Sequence, residues 1–68
     1  MTPTKITGVT VLEKNGFIQM QVRTPDTRKG YYVEASVPKE HGAESISALL
    51  ERARDFARVH RVEMETLL

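Results

Sequence analysis

Apolar and polar positions alternate through two stretches of this chain and then change to a helical spacing. From Phe17 to Arg23, residues Ile18, Met20 and Val22 fall on one side and Gln19, Gln21 and Arg23 on the other. A period of two marks a strand with one face buried. Tyr31 to Val37 repeats the pattern, with Tyr31, Val33, Ala35 and Val37 opposite Tyr32, Glu34 and Ser36. Pro38 has no amide hydrogen for a ladder and ends that strand. Residues 5–12 are rich in β-branched types (Ile6, Thr7, Val9, Thr10, Val11) and predict a strand ahead of these two. Further on, Ile46, Leu49, Leu50, Ala53, Phe56, Ala57, His60 and Met64 recur at helical steps, with Glu51, Arg52, Arg54, Asp55, Arg58 and Arg61 on the opposite side. No Gly or Pro interrupts residues 43–68. The helix is therefore predicted to start between His41 and Ser45, with residues 62–68 either its last turns or a frayed end.

Turn chemistry supplies a second, independent reading of the register. Asn15-Gly16 is the favoured pair for a two-residue type I′ hairpin, in which both positions need positive φ. Such a turn places Lys14 opposite Phe17, Leu12 opposite Gln19, Thr10 opposite Gln21, Val11 opposite Met20 and Val9 opposite Val22. Opposed residues share a face, so the apolar positions of both strands coincide. Pairing Val22 with Tyr31 carries the pattern into the third strand. Each element is apolar on one side only, so the helix packs on the sheet. The expected architecture is α+β: a three-stranded antiparallel meander in order 1-2-3, with one C-terminal amphipathic helix on one face (βββα), as one domain over residues 1–68.

Two surfaces follow from that architecture. One helix covers one sheet face, so the other face presents Lys14, Phe17, Gln19, Gln21, Arg23 and Tyr32, among Thr10, Leu12, Glu34 and Ser36. Gln and Arg side chains can pair bidentately with base edges, and exposed aromatic rings can stack on unpaired bases. An ordinary wet antiparallel face has the same composition. The second surface is the helix end. A helix from Glu44 to Leu68 would be about 37 Å long, whereas a seven-residue strand spans about 23 Å. Val62, Met64, Leu67 and Leu68 would then overhang the sheet and form a dimer or partner contact. In the polar loop from Thr24 to Gly30, Arg28 and Lys29 are further candidates for phosphate contact.

A meander followed by a helix, with Asn15-Gly16-Phe17-Ile18-Gln19-Met20-Gln21-Val22-Arg23 at its centre, resembles the sheet-reading DNA-binding domains of plant ethylene-response factors. It is also similar to the arm-site-binding domains of tyrosine-type integrases. The resemblance implies that Lys14, Phe17, Gln19, Gln21, Arg23 and Tyr32 meet the major groove. Strand three carries Glu34-Ala35-Ser36-Val37 where those families have a Leu-Gly-aromatic signature.

Composition narrows the function classes. With 68 residues the core is one thin layer, and domains of this size commonly gain stability from a partner. No cysteine is present, which excludes disulfides and thiolate metal sites. Ten Lys/Arg against nine Asp/Glu leave a net charge of +1, too little to hold the chain on DNA by bulk charge. Met1-Thr2-Pro3-Thr4 leads into no long apolar run. A signal peptide or membrane span is therefore not expected, and the cytoplasm is the expected location.

Residues of chemical type are scattered. His41 and His60 stand nineteen positions apart without other ligand-spaced residues, and His60 falls on the apolar stripe as a packing residue. Ser45 and Ser47 lack a nucleophile-elbow context, and Thr24 to Gly30 holds only one glycine, so it is no phosphate loop. No enzyme activity, cofactor, metal or small-molecule substrate is expected. The chain reads as a small binding protein. The leading expectation is a protein–protein interaction or inhibitor module of phage or mobile-element type, acting as a homodimer or on a larger host protein. A DNA-binding regulator using the sheet face is the alternative.

Overall fold

A computed structural model describes residues 5–68, and the leader reading of Met1 to Thr4 lies outside them. Strands β1 (Gly8–Lys14), β2 (Phe17–Arg23) and β3 (Tyr31–Pro38) come first, then a 3-10 turn over Lys39–His41. Helix α1 (Ala43–His60) and strand β4 (Glu63–Thr66) follow. The sheet has four strands in the order β3-β2-β1-β4. β1 to β3 form the expected antiparallel meander, while β4 lies parallel to β1. The α+β class and the helix therefore stand. The sheet is mixed, with one strand more than the sequence pattern suggests.

The first hairpin has the anticipated geometry. Asn15 and Gly16 take φ of 54° and 83°, and Lys14 pairs with Phe17, Val11 with Met20 and Val9 with Val22. The Glu13 carboxylate accepts a hydrogen bond from the Gly16 amide at 2.9 Å, which ties the turn to its own strand.

The second hairpin differs. Met20 pairs with Ala35 but Gln21 pairs with Val33, so Glu34 is an extra residue in β3, a β-bulge. The bulge moves every residue before it by one position. Tyr32, not Tyr31, opposes Val22, and Ile18 opposes Val37. Tyr32 therefore joins Ala35 and Val37 against the core, and half-exposed Val33 turns outward.

Helix α1 enters through Gly42, whose φ of 89° and ψ of 177° belong to a region only glycine adopts without strain. Leu49, Ala53 and Ala57 are buried against Val9, Val11, Ile18, Met20 and Val22. Small side chains at 53 and 57 let the helix lie close to the sheet. His60, read as a packing residue, is exposed, with its ring 4.3 Å from that of Phe56. The helix stops there. Arg61 adopts the left-handed conformation (φ 57°), its amide bonding Arg58 O while the Val62 amide bonds Ala57 O. That pair of bonds is a Schellman cap, and it redirects the chain into β4.

The helix-overhang surface is thereby overturned. Val62 and Met64 pack against the core instead of projecting past the sheet, with Met64 beside Val9. Leu67 and Leu68 lie beyond β4 and are exposed, and the Leu67 amide bonds Val11 O at 2.8 Å.

Candidate functional site

The helix leaves one face of the sheet open. Its cross-strand rows follow from the pairings. Tyr31, Arg23, Gly8 and Glu63 form one row, and Val33, Gln21, Thr10 and Glu65 the next. Ser36, Gln19 and Leu12 follow, then Pro38, Phe17 and Lys14. Lys14, Phe17, Gln19, Gln21 and Arg23 thus share this face, as the alternation implied. Tyr32 does not, because the bulge rotates it to the helix side, and Tyr31 takes its place in the row with Arg23. Glu34 leaves the outer face too, reaching the Arg52 guanidinium of α1 at 3.0 Å.

Burial pushes the Tyr32 phenol above its ordinary pKa of 10.0, and the negative charge of Glu34 adds to the shift. This cluster belongs to the packing of β3 on the helix.

On the open face the side chains constrain one another. Gln21 Nε2 donates to Gln19 Oε1 at 3.1 Å, which orients both amides along β2. Arg23 lies across Gly8. A Cβ built on that glycine would sit 2.5 Å from Arg23 Nη2, 2.9 Å from Nε and 3.0 Å from Cζ. The glycine leaves room for the guanidinium to lie over the strand. Phe17 is 44% exposed and Val33 45%, so the face carries apolar area on both β2 and β3.

The fourth strand changes the electrostatics. Pairing of Gly8 with Glu63 and Thr10 with Glu65 puts two exposed carboxylates on the face that holds Lys14 and Arg23. Two cations now meet two anions. The sequence pattern placed Glu63 and Glu65 on a helix tail, so this balance was hidden. The period-two run Val62-Glu63-Met64-Glu65-Thr66 is the signal that exposes β4. The helical spacing of His60 and Met64, with no Gly or Pro to break it, masks that signal.

The loop between β2 and β3 is built from its threonines. Thr24 is fully buried, and its hydroxyl accepts from the Asp26 amide at 3.3 Å. Thr27 Oγ1 donates to Thr24 O and accepts from the Gly30 amide. Arg28 and Lys29 are exposed at the tip of this tied loop. Leu67 and Leu68 line an open groove with Glu13, Ile18, Lys39 and Ile46 at the opposite end of the sheet. Among the described residues no group of three or more His, Cys, Asp or Glu could hold a metal ion, and no helix is long and apolar enough to cross a membrane. Comparison with known proteins finds no matching family model, curated protein or solved structure.

Proposed function

We propose that the chain is a small non-enzymatic binding protein of the cytoplasm that recognises another protein surface through its open sheet face. The observation that supports this most directly is the charge balance there. Arg23 stands beside Glu63 and Glu65, Lys14 lies at the other end of the same face, and exposed Phe17 and Val33 share it. Phosphate contacts supply most non-specific DNA affinity, and carboxylates on the contact face oppose them. Interfaces between proteins instead favour exposed aromatic and Arg side chains within mixed polar surroundings. An inhibitor or regulator docking on a larger protein has these requirements.

Nucleic acid is the second reading, favoured by Gln19, Gln21 and Arg23 at alternate positions of one exposed strand. Affinity capture with the wild type beside the Gln21→Ala/Arg23→Ala double variant, together with a gel shift on mixed DNA from 50 to 200 mM salt, separates the two. A defined protein partner lost in the double variant, with no DNA shift, supports the protein reading. A DNA shift that weakens steeply with salt and vanishes in the double variant overturns it.

A further inference from the structure

β3 stands at one end of the sheet order, so its outer edge is unpaired. The register shows which of its main-chain groups face outward. The Lys39 amide bonds Gly16 O at 2.9 Å, and further along the same ladder Ile18 pairs with Val37 and Met20 with Ala35. Hydrogen-bonded pairs alternate along an antiparallel ladder, so Val37 and Ala35 direct their amides and carbonyls to β2. Ser36 directs both of its groups away from the sheet. Pro38 faces outward as well and has no N–H to offer. On the other side of Ser36 the Glu34 bulge breaks the regular edge. The stretch of edge centred on Ser36 is left free to pair.

A groove lies beside that stretch. Ala35 and Val37 line it from β3, and Ser45, Ala48 and Arg52 from α1. Ser36 borders it too, although its side chain belongs to the open face, so its main chain forms the lip. The side chains that meet across the groove are mostly small, and they leave a volume of about 460 Å³, room for more than one further side chain. At the bulge end Arg52 is paired with Glu34 at 3.0 Å, and the two charges cancel.

We propose that this edge and groove bind an extended segment of another protein, which adds to the sheet as a further strand beside β3. The Ser36 N–H donates to the main chain of the segment and the Ser36 carbonyl accepts from it, the mode of recognition that an unpaired edge offers. The segment residue opposite Ser36 points to the open face, and its two neighbours point to the helix side. Those neighbours enter the groove against Ala35, Val37 and Ala48, and they are apolar because the groove has no net charge to meet. The recognised pattern is apolar–x–apolar. A second copy of β3 centred on the same serine matches the edge, but it brings only another Ala35 and Val37 and leaves the groove unfilled. An empty groove forfeits the contacts of its lining, which favours a different chain with bulkier side chains.

Panning random heptapeptides displayed on phage against the full chain tests this, followed by titration of the selected peptides, with circular dichroism to show that each variant keeps its fold. The expected peptides carry apolar residues at alternate positions, and their binding protects the Ser36 amide from hydrogen exchange. Ser36→Pro removes the outward donor, a change that edge strands accept. Ala48→Phe fills the groove from an exposed helix position. Each is expected to weaken peptide binding about tenfold or more. The proposal is overturned if no peptide is selected, or if the selected peptides bind both variants as well as the wild type. Loss of their binding in Gln21→Ala/Arg23→Ala also overturns it, because the peptides then sit on the open face. A dimer in sedimentation equilibrium that Ser36→Pro dissociates overturns it too, because the edge then belongs to a second copy.

Discussion

Tyr32 shows how much one side chain's setting depends on a single inserted neighbour. On the open face it would be a wet phenol, but against the core it is half-buried beside the Glu34 carboxylate, and its pKa rises above 10.0. The unfolded chain then loses the Tyr32 proton before the folded chain does. Its contribution is fully present below pH 10.0, and stability declines as pH climbs from there through the raised folded value. Denaturant unfolding followed from pH 9 upward is expected to show this decline, and Tyr32→Phe to flatten it. Ultraviolet titration of a Tyr31→Phe variant reads the phenol itself, with a midpoint above 10.0 expected. Arg61 is the other residue held in an uncommon state. Its left-handed backbone carries a steric cost that glycine avoids. Arg61→Gly is expected to raise the unfolding free energy by about 0.5–1 kcal/mol in urea denaturation.

Among the elements, β3 and β4 decide which surfaces exist. The bulge at Glu34 makes Val33 an outer residue while Ala35 stays an inner one. Val33→Lys is expected to change stability by no more than about 0.5 kcal/mol, whereas Ala35→Lys buries a charge against the core and is expected to unfold the chain. Thermal melts of the two variants check the contrast. An unbulged β3 would put Val33 on the face of Ala35 and make Val33→Lys damaging as well. β4 covers the outer edge of β1 and adds Met64 and Val62 to the core. A chain truncated after Arg61 exposes the β1 edge and part of the apolar layer. It is expected to lose its cooperative melting transition and its helical circular dichroism. A helix running to the terminus, the sequence-based expectation, would survive that truncation with only its end shortened.

The whole molecule has little stability to spare. Domains carry about 0.05–0.15 kcal/mol per residue, or roughly 3–10 kcal/mol for a chain of this length. Met20 is fully buried at the centre of the sheet, and its truncation to alanine is expected to cost about 2–5 kcal/mol. Met20→Ala is therefore expected to be partly unfolded at 37 °C, which a urea midpoint near zero would show.

Local chemistry determined the first hairpin with its register, the buried side of β2 and the helix face, whereas the β2–β3 register differs from the sequence-based pairing along its whole length. Asn15-Gly16 can hardly avoid positive φ, and the alternation of Ile18, Met20 and Val22 leaves one side to bury. These features depend on neighbours in the chain, so they can be read from the sequence. The bulge, the helix stop at His60 and strand β4 depend on what lies across space. Glu34 is expelled from the ladder where β3 meets β2 and α1, with Tyr32 against the core and the Glu34 carboxylate within reach of Arg52. Residues 62–66 suit a strand or a helix equally by pattern, and the unpaired edge of β1 resolves that ambiguity by offering backbone partners and a place for Met64 beside Val9. The acidic half of the open face came with that strand, so only the tertiary structure decided the charge on the surface that the binding proposal uses.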